Sequence, residues 1–82
     1  MIMISSNNII HGRVNVENLD QTFYIKYDIE KCLDNSGKIA SYYVSTDCGY
    51  DFSFNAYDDD TDASVIQLAE TLIRSEWYDE NV

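Results

Sequence analysis

Proline is absent from these 82 residues, and glycine occurs three times, at Gly12, Gly37 and Gly49. A chain so poor in both holds no Pro-rich or Gly/Ser-rich linker, no collagen-like repeat and no low-complexity tail. Cysteine is also scarce. Cys32 and Cys48 could form one bridge, but small secreted scaffolds usually carry about four or more cysteines, so a reduced, cytoplasmic protein is expected. No apolar run approaches the roughly 20 residues of a membrane helix. The opening MIMISSNNII lacks a basic segment and is broken by polar residues from Ser5 to Asn8, so no secretory signal is expected. The scarcity with the widest consequence is positive charge: five Lys and Arg stand against fifteen Asp and Glu, a net charge of −10. No stretch interleaves basic and aromatic side chains as nucleic-acid readers do. Direct binding to nucleic acid or to an anionic membrane surface is therefore disfavoured.

What is present is enough apolar and aromatic material to fold. Hydrophobic residues make up 45% of the chain and aromatics 13%, which fits a single domain over residues 1–82 with one core and argues against disorder. Alternation of apolar and polar residues, the signature of a half-buried strand, marks four segments near 9–17, 22–33, 38–46 and 50–57. The stretch from Ala56 to Asn81 then changes period. Val65, Ile66, Ala69, Leu72, Ile73 and Trp77 recur at helical spacing, and Leu68 widens the stripe, which predicts a helix near 61–78. Thr61 or Asp60 can cap its start, where Asp58, Asp59 and Asp62 also suit the helix dipole. Its end is less comfortable: Glu76, Asp79 and Glu80 crowd a terminus that prefers cations, so helix stability does not explain them.

Turn chemistry joins these elements. Asn18 to Gln21 reads as the first turn, Asp34 to Gly37 as the second, and Asp47, Cys48 and Gly49 as the third. Pairing Glu17 with Thr22 sets Val16 opposite Phe23 and Val14 opposite Ile25. Pairing Leu33 with Lys38 sets Ile29 opposite Tyr42 and Tyr27 opposite Val44. Pairing Thr46 with Tyr50 sets Val44 opposite Phe52 and Tyr42 opposite Phe54. All three hairpins then agree on one apolar face, which a one-residue slip would destroy. The expected fold is α+β: a four-stranded antiparallel β-meander with one C-terminal α-helix packed on one face. The other face would show Tyr24, Tyr43 and Tyr57 among Arg13, Lys26, Asp28, Glu30 and Asp51.

Charge is divided unevenly along the chain. Residues 1–46 carry five acids and four bases, residues 47–82 ten acids and Arg74 alone. Concentrated charge costs self-repulsion, and it steers basic partners. The candidate partner-binding side chains are therefore Asp47, Asp51, Asp58, Asp59, Asp60, Asp62, Glu70, Glu76, Asp79 and Glu80, with Tyr24, Tyr43 and Tyr57 as anchors of the kind interfaces favour. The competing interpretation is a solvated acidic face with no partner.

Other chemistry is weaker. Asp58, Asp60 and Asp62 match positions 1, 3 and 5 of an EF-hand loop, but Ala63 replaces the glycine of that motif, Ala69 replaces its terminal Glu, and Glu70 is one residue out of register. His11, Cys32 and Cys48 are too few and too scattered for zinc. Acids around Cys48 would blunt its thiolate, and no substrate-binding element accompanies the many carboxylates. Neither an enzyme nor a cofactor is expected.

In size, in net charge and in runs such as Asp58 to Asp60 with Asp62, and Asp79 with Glu80, the chain resembles the small acidic anti-CRISPR and anti-restriction inhibitors of phages and mobile elements. That resemblance implies a protein that occupies the nucleic-acid channel of a host target in the host cytoplasm. Its rivals are an immunity protein against a basic nuclease toxin, a weak calcium-binding module, and a structural subunit or homodimer joined through strands one and four, whose edges invite pairing.

Overall fold

The computed structural model describes residues 8–82. Strands β1 (Ile9–Asn18), β2 (Gln21–Leu33), β3 (Ile39–Thr46) and β4 (Asp51–Asn55) form one sheet in that spatial order, each antiparallel to the next, and helix α1 (Asp62–Asn81) follows. The α+β meander with one terminal helix is thus the observed architecture. Its core lies between the helix and one sheet face. Val14, Val16, Ile25, Tyr27, Ile29, Tyr42 and Val44 from the strands meet Val65, Ala69, Ile73 and Trp77 from the helix.

The register of β1 on β2 is the expected one, with Val16 opposite Phe23, Val14 opposite Ile25 and Ile10 opposite Ile29. The turn between them places Leu19 at φ 51° and Asp20 at φ 66°, both in the left-handed region that a two-residue type I′ hairpin requires. Leucine suits neither that backbone nor its exposure of 88%. Asparagine tolerates the conformation better, so Leu19→Asn should raise stability by roughly 0.5–1 kcal/mol and Tm by about 4 °C. A fall in Tm on thermal denaturation would instead mean that Leu19 makes a stabilising contact.

The second hairpin departs from expectation. Asp34 N–H donates to the Lys38 carbonyl at 2.8 Å, while the Asp34 carboxylate accepts from Ser36 N–H, Ser36 Oγ and Lys38 N–H. The loop therefore closes on Asp34 and Lys38, with Gly37 at φ 86°, and Leu33 pairs with Ile39 rather than Lys38. A bulge between Cys32 and Leu33 leaves Ala40 as an extra residue and slips the register once more. Ile29 consequently faces Val44, and Tyr27 faces Thr46. Each one-residue step alone would turn β3 inside out; the two together restore the apolar face.

The β3–β4 register is as expected, with Val44 opposite Phe52 and Tyr42 opposite Phe54, but β4 is shorter than 50–57. Tyr50 N–H turns to Thr46 Oγ1 at 2.8 Å. Beyond Asn55, Tyr57 N–H donates to Asp60 Oδ2 and Asp60 N–H to the Tyr57 carbonyl, closing a turn. Tyr57 therefore leaves the sheet and does not join Tyr24 and Tyr43 on its open face.

Thr61 is the N-cap, and its hydroxyl accepts from Ser64 N–H while Ser64 Oγ accepts from Thr61 N–H. The helix runs three residues past the expected end, to Asn81, whose Nδ2 donates to the Trp77 carbonyl. Its buried stripe is Val65, Ala69, Ile73 and Trp77, spaced by four. Ile66 packs at the margin of the core, but Leu68 is 44% exposed and does not widen the stripe.

Candidate partner-binding surface

The candidate residues other than Glu70 fall into three groups. The first surrounds the start of α1. Asp58 lies 2.8 Å from Lys38 Nζ, and Asp62 lies 3.1 Å from Lys31 Nζ. Lys38 holds the Asp58 carboxyl below its ordinary range, first by hydrogen bonding and then by its charge. Asp60 accepts from Tyr57 N–H, and Asp59 stands exposed beside it. The three carboxylates of the calcium-like spacing are thus turned to three different partners. Among the described residues no cluster of His, Cys, Asp and Glu is arranged to hold a metal ion.

The second group lies at the other end of the helix. A 20-residue helix rises about 1.5 Å per residue, so its ends are roughly 30 Å apart. Glu76, Asp79 and Glu80 sit here with no basic side chain in the last turn. Burial first, and then the proximity of Glu80, raise the Tyr50 hydroxyl above its ordinary range, and Tyr50 closes the β3–β4 turn that carries Asp47. Asp47, Glu76, Asp79 and Glu80 have no basic partner within 4 Å among the described residues. One acidic pole is therefore partly neutralised by lysines, and the other is not.

The third group is on the open sheet face. Arg13 lies over the Tyr24 ring, 4.8 Å from its centroid, a cation–π contact. Tyr43 is 40% exposed, and the charge of neighbouring Asp51, more than any other cause, raises its hydroxyl pKa. His11 Nδ1 lies 2.5 Å from Asp28, the cross-strand partner that the register provides.

Glu70 is committed to the interior side of the helix. Its Oε2 accepts from Tyr27 Oη at 2.6 Å, and its Oε1 lies 3.9 Å from Arg74. Burial, then the Glu70 hydrogen bond and charge, push the Tyr27 hydroxyl well above its ordinary value near 10, against a small opposing effect of Arg74. Because the folded pKa is raised, this contribution to stability is complete below about pH 10 and is lost as pH climbs toward the folded value. Tyr27→Phe should therefore be less stable than the parent at roughly pH 8 but lose less between there and roughly pH 11, measured by urea unfolding. Equal losses in both proteins would place the alkaline sensitivity elsewhere.

Two features of this surface lie at the sheet edges. Arg74 Nε donates to the Asn15 carbonyl at 3.2 Å, and Tyr78 Oη to the Glu17 carbonyl at 2.7 Å, so side chains of α1 cover the outer edge of β1 at its Asn15–Glu17 end. At β4 a cleft of about 440 Å³ opens instead, lined by Phe54, Asn55, Tyr57, Asp60, Ser64, Val65 and Leu68. Leu68, expected to widen the buried stripe, instead lines that cleft.

A family model described as the Phage T4 Y03C protein family matches residues 2–81. The chain belongs to that family. Y03C membership supports a small phage-encoded protein and agrees with the phage side of the resemblance drawn from charge and size. No curated protein and no solved structure matches the chain. No helix among the described residues is long and apolar enough to cross a membrane.

Proposed function

We propose that this Y03C-family protein is a non-enzymatic, acidic inhibitor that works in the host cytoplasm by covering a basic, nucleic-acid-binding surface of a host protein. The observation that carries the reading is the uncompensated pole. Asp79 and Glu80 sit at the negative end of the helix dipole with no base in the last turn, where each such charge destabilises a helix by about 0.3–1 kcal/mol. Charge held against local stability is the pattern of a functional surface. The shape is compatible: the molecule is 47 × 27 × 18 Å, and duplex DNA about as long as its major axis carries roughly 28 phosphates. The net charge of −10 is about a third of that, and the acids at the two poles are spaced along the molecule rather than gathered at a point.

The test uses the protein on a column with a lysate of host bacteria, eluted by stepped salt. Basic nucleic-acid-binding proteins should be retained at low ionic strength, released at moderate salt and displaced by excess duplex DNA. The double variant Asp79→Asn with Glu80→Gln should be more stable than the parent by roughly 0.5–1 kcal/mol yet bind the retained protein about tenfold more weakly, a loss of ~1.4 kcal/mol. Retention indifferent to salt and to DNA, or unchanged in the variant, would make the acidity a matter of solubility alone.

A further inference from the structure

The ladder fixes which backbone groups of β4 face outward. Thr46 N–H donates to the Tyr50 carbonyl at 3.1 Å, and Ala56 N–H to the Ala40 carbonyl at 3.0 Å. Antiparallel pairing alternates, so Tyr50, Phe52, Phe54 and Ala56 point their backbone groups at β3, and Asp51, Ser53 and Asn55 point theirs away from it. No described strand pairs with that side. The same alternation on β1 turns the Asn15 and Glu17 carbonyls outward, and there Arg74 and Tyr78 take them up. The fold therefore blocks the Asn15–Glu17 end of the β1 edge with helix side chains and leaves the β4 edge open beside an apolar cleft.

We propose that the open edge of β4 accepts an extended strand of the basic partner, in which Lys or Arg alternates with apolar side chains. This rests on the inhibitor reading and specifies how the partner is held. Backbone bonds to Asp51, Ser53 and Asn55 supply the register, and period-two alternation sends every second side chain to the helix side. An apolar residue there enters the cleft between Phe54, Tyr57, Val65 and Leu68. The intervening residues emerge on the open face beside Asp51, and Asp59 and Asp60 lie at the cleft end of the strand. Charge selects this occupant over a second copy, because edge-to-edge dimerisation would join two molecules of net charge −10 with their acidic loops along one seam.

The probe is a blocked peptide of about eight residues alternating lysine with valine, added to isotope-labelled protein and followed by amide hydrogen exchange. The alternating peptide should slow exchange at Ser53 and Asn55 at least fivefold or so, and a peptide of the same composition with lysines and valines in separate blocks should not. Ser53→Pro removes an outward N–H that the ladder does not use and should abolish the protection at Asn55. Leu68→Lys, at an exposed position of the helix, should weaken peptide binding about tenfold should the proline variant fail to fold. Equal protection by both peptides, or none, overturns the proposal. So does sedimentation showing a dimer that Ser53→Pro dissociates, since the occupant would then be a second copy. Should the captured host protein bind Ser53→Pro and Leu68→Lys as well as it binds the parent, while Asp79→Asn with Glu80→Gln weakens it, strand docking fails and the inhibitor reading stands.

Discussion

Trp77→Ala should destabilise the protein by about 4 kcal/mol, and far-UV circular dichroism in urea is the measurement, because the substitution removes the one tryptophan that fluorescence would follow. A domain of this length has a total stability of roughly 4–12 kcal/mol at about 0.05–0.15 kcal/mol per residue, so the variant is expected to lose from about a third to nearly all of its stability. The size of the effect comes from position. Trp77 is 9% exposed, its ring centroid lies 5.3 Å from that of Phe23, and Tyr78 meets it edge-on at 5.2 Å. It is the last residue of the buried stripe, and it closes the core where β1 turns into β2. Alanine would lose the buried area, the ring pairing and the cover over Phe23, which is itself 40% exposed. Trp77→Phe keeps a ring against Phe23 and should cost only about 1–2 kcal/mol. A loss below about 1 kcal/mol for alanine would mean that the helix end contributes little to the core.

That residue also illustrates what could be read in advance. Periodicity placed Trp77, Ile73, Ala69 and Val65 on one face because a helix and a sheet each bury one side, and alternation plus turn residues then chose the partner face. The β1–β2 and β3–β4 registers follow from the same logic. The β2–β3 register does not, because an Asp34 side chain that bonds Lys38 N–H and a bulge at Ala40 are cooperative local events that leave the hydrophobic pattern unchanged. Tyr57 was misplaced for a related reason: nothing in alternation reveals that Asp60 will draw its N–H out of the sheet. Function was less legible still. Charge asymmetry pointed to a basic partner, and the acids do gather at two poles, yet Glu70 turned inward to Tyr27. The meander order marked strands one and four as edges, but not that Arg74 and Tyr78 would take up the outward carbonyls of Asn15 and Glu17 while β4 borders a cleft.

Gly12→Ala should destabilise by about 2–3 kcal/mol, although strand propensity alone argues that removing a glycine stabilises by roughly 0.5–1 kcal/mol. The sign is decided by Tyr27, the cross-strand partner of Gly12. The tyrosine ring lies across the glycine, so that a Cβ there would overlap Cζ and Oη and approach Cε1 to 2.8 Å. A ring free to swing away would make this cheap. Tyr27 is not free: it is 4% exposed, and its hydroxyl donates to Glu70 at 2.6 Å. Moving it costs overpacking of about 1–3 kcal/mol and weakens a hydrogen bond to a carboxylate worth about 1.5–3 kcal/mol. Gly12 therefore does not merely weaken its strand; it makes room for the ring that ties β2 to the helix. The decisive comparison is a double-mutant cycle with Tyr27→Leu. In that background the ring is gone, and Gly12→Ala should be neutral or stabilising, giving a coupling of about 2–3 kcal/mol. Destabilisation of the same size in both backgrounds would locate the strain in the β1 backbone, and stabilisation in the parent would show that the Tyr27 ring relaxes without breaking its tie to Glu70.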